Sequence, residues 1–338
     1  MPTKELSPSM SSTPYRKVCI YGAGAIGAWL GTRLGQAGCS VSVVARGATL
    51  QALQQHGLRC DLDGQTLSVP VQASEPAALG VQDLVIIAVK APALPEVARH
   101  IAPLLGPETV VLTAMNGVPW WFFAGFGGEY AGTPLQAIDP QGAIAAAIPA
   151  GHVIGGVVHA SCALAGPGHA QHHFGNRLII GEPSGAQTER VQALQALLTR
   201  AGFETELSPQ IQQDIWYKLW GNMTVNPVSA LTGATTDLIL DDPLVRDFLS
   251  RVMYEAKEIG ARIGIPIAQQ PEDRHAVTRK LGAFKTSMLQ DVEHGRPVEL
   301  DALVTVVQEL GTLTGVPTPY TDVLLGLARL QARVRGLY

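Results

Sequence analysis

Three polar residues on an otherwise apolar stretch are the first sign of chemistry in this sequence. In IWYKLWGNMTVNPVSAL (215–231), Lys218, Asn222 and Asn226 recur every four residues, which stacks them along one face of a helix. Their neighbours Trp216, Leu219, Trp220, Met223 and Val225 predict that this helix is largely buried. Polar groups placed there require partners, because burying them unpaired is costly. A bound polar ligand would supply them, and so would backbone carbonyls of another part of the chain. A lysine partly withdrawn from water has a lowered pKa and donates a proton more readily near neutral pH. Beside a nicotinamide, such a lysine could protonate a carbonyl oxygen as hydride reaches the carbon.

A second pattern supplies the nicotinamide. Gly22, Gly24 and Gly27 form G-x-G-x-x-G, with Ala25 and Ile26 between the last two, directly after the strand-like RKVCIYG (16–22) and at the opening of a helix. The first glycine allows a tight turn, the second lets a pyrophosphate approach the backbone, and the third lets helix and strand pack closely. The helix N-terminus offers free N–H groups and a positive dipole end to the phosphates. Where NAD-binding chains usually carry an acid, at the end of the second strand, this one reads VVARG. Arg46 there can fork onto a 2′-phosphate, which favours NADPH over NADH; a solvated surface arginine is the plain alternative. Lys90, at the end of DLVIIAVK (83–90), is a second cation for the C-terminal edge of the sheet, where ligands bind in such folds. Its plain alternative is a solvated strand-end lysine.

The elements holding these residues follow from the periodicities. Strand-like SVSVVAR (40–46), DLVIIAVK (83–90) and TVVLTAM (109–115) alternate with helix-like 23–38, 48–57 and 92–106. That alternation predicts a parallel sheet with crossover helices. LRCDLDGQTLSVPV (58–71) reads as an inserted hairpin turning at Asp63-Gly64. Segments 152–162 and 176–183 are further strands, and 188–202 is a helix. From about residue 208 the pattern is helical throughout, over 211–233, 243–264, 279–295 and 299–315. The predicted organisation is a loose tail over 1–14, a dinucleotide-binding domain over 15–207 and a helical substrate and catalytic domain over 208–338.

The bulk properties narrow the partners. With a net charge of −4 and no run of Lys and Arg, the chain has no basic field for nucleic acid. Its apolar runs, such as VIIAV (85–89), are too short to cross a bilayer. Cys19, Cys39, Cys60 and Cys162 form no CxxC pair or metal-ligand spacing and read as buried free thiols of a cytoplasmic protein that binds no metal.

Taken together, these residues resemble the ketopantoate reductase (2-dehydropantoate 2-reductase) family over about 16–330. The resemblance rests on the GAGAIG turn, Arg46, VIIAVKA (85–91), Asn116-Gly117, KLWGNMTVN (218–226) and TSMLQDVEHGRPVELD (286–301). It implies an α/β Rossmann-type domain followed by an all-α domain like the C-terminal domain of 6-phosphogluconate dehydrogenase. It also implies NADPH-dependent reduction of a 2-oxo acid in the cleft between them, in a possible homodimer. By position, Lys218 matches the catalytic acid, and Glu299 the acid that holds a substrate hydroxyl. Asn222 and Asn226 match substrate-binding amides, and Ser287 the serine that meets the substrate carboxylate. Asn116 matches the asparagine at the nicotinamide end, contacting cofactor and substrate, and Lys90 the lysine beside both. Glu299 also falls in the first turn of a helix, where the dipole favours acids anyway. Asp291, Glu293 and Asp301 read as solvated or structural.

One block departs from the family pattern. MNGVPWWFF (115–123) sets four aromatic rings in a row ahead of a long segment, 125–151. Pro119 suits the first turn of a short helix. Some rings pack inward as the foot of that segment, and one or two are left to wall the substrate pocket. Three functions stay open here: reduction of 2-dehydropantoate, reduction of a bulkier 2-oxo acid, and an NADP(H) sensor without catalysis.

Overall fold

The computed structural model describes residues 14–338, so the tail expected over 1–14 lies, apart from Pro14, outside the described residues. The strands are β1 (Lys17–Tyr21), β2 (Ser40–Val44), β3 (Leu58–Leu62), β4 (Gln65–Val69), β5 (Gln72–Ser74), β6 (Leu84–Ile87), β7 (Val110–Thr113), β8 (Val153–Gly166), β9 (His169–Gly181) and β10 (Glu204–Leu207). The helices among them are α1 (Ala25–Gln36), α2 (Gly47–His56), α3 (Pro76–Leu79), α4 (Leu94–His100), α5 (Ala143–Ala147) and α6 (Glu189–Arg200). There follow α7 (Ile211–Thr232), α8 (Thr236–Asp241), α9 (Pro243–Arg262), α10 (Pro271–Arg279), α11 (Ser287–Glu293), α12 (Val306–Thr314) and α13 (Pro319–Val334).

All ten strands join one sheet in the order β4-β3-β9-β8-β7-β6-β1-β2-β5, with β10 beside β9. The centre, β8-β7-β6-β1-β2, is parallel, as the alternation predicts. The sheet as a whole is mixed, because β9 runs back along β8 and β4 along β3. The Asp63-Gly64 hairpin extends the sheet by pairing β3 with β9.

The period of two sends alternate side chains to opposite faces. Ile20, Ile86, Leu112, Ile154 and Ile180 pack with Trp29, Leu30 and Leu34 of α1 and Leu194 and Leu197 of α6. Val85, Ile87, Val111, Val153 and Val157 face the other way, into a core continuous with Trp216, Leu219, Trp220 and Met223 of α7. The sheet and the helical half thus share one core.

Three local expectations need correction. The helix expected over 92–106 is α4 flanked by two 3₁₀ turns, because Pro92, Pro95 and Pro103 remove amide donors. Of the helix expected over 279–295 only Ser287–Glu293 forms, as α11: α10 ends at Arg279, Gly282 takes a positive φ, and Thr286 caps α11 by accepting from Leu289 N. Residues 120–125 form successive turns and no helix, with Phe122 N bonded to Pro119 O and Ala124 N to Trp121 O.

The four rings belong to the shared core. Trp120, Trp121, Phe122 and Phe123 are only 6, 2, 0 and 2% exposed. Phe122 meets Trp216 of α7 with ring centroids 6.3 Å apart, and Gln212 at the start of α7 donates to the Phe122 carbonyl at 3.1 Å. Trp120 Nε1 donates to Ile148 O, and Glu309 of α12 accepts from the backbone N–H groups of Gln136 and Ala137. The block therefore anchors segment 125–151 between sheet and helices. Trp120 and Trp121 also border a hollow of about 20 Å³ beside Asn116.

Candidate active site

The glycine turn lies where β1 passes into α1. Gly22 has φ +106°, and a Cβ there would stand 2.6 Å from Val89; one on Gly27 would stand 2.0 Å from Gly22 O. A Cβ on Gly24 would meet nothing within 4 Å, so this side of the turn is open. No side chain caps α1 and its first turn carries no acid, which leaves its amide donors free for an anion. Gly22, Gly24, Arg46, Thr49 and Glu96 line a cleft of about 440 Å³. Ala25 and Ile26 begin α1 and are half-buried. The residues present fit the phosphates of a dinucleotide. Arg46 precedes α2 and pairs with Glu96 at 2.5 Å, with both side chains well exposed. Such an exposed pair is weakly held and leaves the guanidinium available to a phosphate.

Lys218 is half-buried on α7 and reaches across to the sheet half. Its Nζ donates to Asn116 Oδ1 at 2.8 Å and to the Val158 carbonyl of β8 at 2.6 Å. The lysine thus takes the backbone carbonyl that one reading of the stripe required. Asn222 and Asn226 do not: neither amide side chain bonds to any described residue. Burial pushes the Lys218 ammonium down to about 8; Glu299 opposes that shift and Arg274 adds to it.

Asn116 is held by its own turn. Gly117 has φ +85°, and a Cβ there would stand 2.4 Å from Ala302 O. That carbonyl accepts from Val118 N at 2.9 Å. It lies in a π-helical turn, Asp301–Thr305, that leads into α12. Such a turn shifts the usual i→i−4 bonding, which lets a carbonyl point outward.

Glu299 lies just before that turn, with 6% exposure, and its Oε1 accepts from Ala91 N at 2.9 Å. Burial raises its pKa, against the Ala91 N–H and the charges of Lys90 and Lys218. Lys90 lies three residues beyond the end of β6 and pairs with Asp291. Asp291 is not solvated: its side chain is 2% exposed and also meets Arg296 at 3.1 Å. Its place on the apolar face of α11, with Met288, Leu289 and Val292, is the spacing signal that identifies it. Glu293 is an exposed partner of Lys285, and Asp301 accepts from Thr305 and Tyr338. Ser287 opens α11, exposed and without a hydrogen bond to any described residue.

The fold therefore brings Asn116, Lys218, Lys90 and Glu299 into one electrostatically coupled group at the C-terminal edge of the sheet. Arg274 of α10, which no sequence pattern marks, also belongs here, because its charge reaches both Lys218 and His159. Burial and these cations push His159 down to about 4, so it is neutral at pH 7. Arg274 stands in PEDRHAVTR, an ordinary polar helix with nothing in its spacing to mark it.

Comparison with known proteins agrees with this architecture. Residues 18–185 match the family described as ketopantoate reductase PanE/ApbA, and residues 210–332 match its C-terminal counterpart. A 2-dehydropantoate 2-reductase of Mesorhizobium japonicum is 46% identical over 95% of this chain and 99% of its own. A crystal structure from Ralstonia solanacearum MolK2, provisionally described as a ketopantoate reductase, is 60% identical, with TM-score 0.93 over 96% of this chain and all of its own. The 2-dehydropantoate 2-reductase of Geobacter metallireducens GS-15 superimposes with TM-score 0.81 at 26% identity, covering 93% of this chain and 99% of its own. The chain is an oxidoreductase of the ketopantoate reductase family.

Proposed function

We propose that this protein reduces 2-dehydropantoate to pantoate with NADPH, with Lys218 as the proton donor. The observation that carries the reading is the half-buried ammonium of Lys218, oriented by Asn116 and the Val158 carbonyl beside two asparagines whose side chains bond to no described residue. When bound, NADPH supplies the hydride. The 2-oxo carbon gains the hydride electron pair, its C=O π pair moves onto oxygen, and Lys218 Nζ gives that oxygen a proton. Before transfer the same ammonium stabilises the charge developing on oxygen, which is worth most where water is excluded. Asn116 aims the lysine and lies at the nicotinamide end. Asn222, Asn226 and Ser287 offer free polar groups to the substrate, and Glu299 accepts from a substrate hydroxyl.

Residues 15–207 hold the cofactor and residues 208–338 supply the proton donor and most substrate contacts. Gly22, Gly24, Ala25, Ile26 and Gly27 would hold the pyrophosphate of NADPH, Arg46, now paired with Glu96, would take the 2′-phosphate, and Lys90 would lie at the nicotinamide end. The aromatic block gives no support to a bulkier acid, because all four of its rings are spent on the core. Tyr320, Val323, Leu327, Leu330 and Val334 form an exposed stripe along α13 at heptad spacing, which supports a homodimer through that helix. We place the protein in the cytoplasm, consistent with its four free cysteines. Among the described residues no helix is long and apolar enough to cross a membrane.

The test is NADPH consumption across a panel of 2-oxo acids. Turnover with 2-dehydropantoate as the preferred substrate supports the proposal. A clear preference for a larger acid, or tight NADPH binding without turnover, refutes it in favour of one of the other two functions.

A further inference from the structure

We propose that Arg274 is the cation that receives the substrate carboxylate; this rests on the 2-oxo acid reading above. A 2-oxo acid brings two oxygen-bearing groups into the cleft, the carbonyl and the carboxylate. Lys218 is used at the carbonyl oxygen. The carboxylate needs a second cation, since Ser287 and the two asparagines are neutral.

The other cations near the site are committed. Lys90 and Arg296 share Asp291, Arg177 pairs with Glu206, and Arg46 pairs with Glu96 at the cofactor end. The Arg274 side chain has no hydrogen bond and no ion pair with any described residue. Its Nε is sealed from solvent, while its terminal amines, equally unpartnered, still reach solvent. Its guanidinium lies 5.6 Å from the Tyr217 ring centroid, one residue before Lys218. It therefore presents an unused fork of donors, the geometry that suits a carboxylate.

The helix opposite is cut to fit it. Gly221 is one turn beyond Lys218 and four residues after Tyr217, so Tyr217 and Gly221 share the face of α7 that the Arg274 guanidinium covers. A Cβ on Gly221 would stand 2.7 Å from both Nε and Nη2 of Arg274. Glycine inside a helix is destabilising relative to alanine. Here it admits an uncompensated guanidinium beside a second cation, an arrangement that opposes folding until an anion arrives.

Arg274→Met removes the charge and keeps most of the volume; Arg274→Lys keeps a point charge without the fork. The carboxylate is held alike in ground and transition states, so the loss falls on KM. For Arg274→Met we expect KM for the 2-oxo acid to rise about 10²-fold or more, with kcat within about threefold and the NADPH dissociation constant unchanged. Arg274→Lys recovers part of the KM, and Gly221→Ala, which displaces the guanidinium, shows a smaller defect of the same kind. The methyl ester of the same acid, lacking the charge, is reduced equally by wild type and Arg274→Met. The melting temperature of ligand-free Arg274→Met is at least that of wild type, as removal of an unpaired buried charge predicts. Wild type active on 2-oxo acids with an unchanged KM in Arg274→Met overturns this assignment alone. A collapse of kcat and NADPH binding together, or a lowered melting temperature, shows a structural residue and also overturns it. A wild type that reduces no 2-oxo acid overturns both the assignment and the reading beneath it.

Discussion

Raising the pH titrates Lys218 inside the range where the enzyme can be assayed. Burial brings its ammonium from the ordinary 10.5 down to about 8. With that value about nine-tenths of the free enzyme carries the proton at pH 7 and about one-tenth at pH 9. If Lys218 is the acid, kcat/KM for the 2-oxo acid falls about tenfold between those two values, with a slope approaching −1. The same shift acts on stability. The native state disfavours the charged form, so the full penalty of about 3 kcal/mol is present below pH 8. It is relieved as pH rises from 8 to 10.5, where the unfolded chain binds more protons than the folded one. Denaturant melts of wild type and Lys218→Met across that window should show wild type gaining stability relative to the variant as pH rises. A kcat/KM profile flat to pH 10 with unchanged relative stability would rule Lys218 out as the acid, because its ammonium would then titrate like that of an ordinary solvated lysine.

The other predictions concern single side chains. Arg46→Asp should weaken NADPH and favour NADH; dissociation constants for the two cofactors decide, and an unchanged preference removes Arg46 from 2′-phosphate binding. Glu299→Gln should raise KM for the 2-oxo acid and leave NADPH affinity as it was. Since the Glu299 charge raises the Lys218 pKa, the basic limb of the pH profile should also move below 8. Phe122→Ala should cost about 3–5 kcal/mol in denaturant melts, since that ring is fully buried between sheet and α7; a cost under about 1 kcal/mol would mean the block does not anchor the core.

The sequence carried the parts of this fold that rest on local pattern. The strand–turn–helix around Gly22–Gly27 and the long helix of Lys218 stand where periodicity places them, because one short rule of spacing governs each. The return of β9 along β8 was not legible, since an apolar strand reads the same in either direction. The partners of the site were hidden for a related reason. Val158 O, Asn116 and Lys218 lie 40 or more residues apart and meet only when α7 packs on β8. Asp291 looked like one acid among several, and its burial follows from which face of α11 turns inward. Arg274 gave no signal at all, because what distinguishes it is a side chain with no hydrogen-bond or ion-pair partner among the described residues.

The proposed reaction turns on Lys218 giving a proton to the oxygen of a 2-oxo acid as the cofactor delivers hydride. Single-turnover oxidation of enzyme-bound NADPH by 2-dehydropantoate, compared between wild type and Lys218→Ala, tests it most directly. The rate should be lower by about 10²–10⁴-fold in the variant, with NADPH affinity retained. A rate within a few-fold of wild type would contradict it.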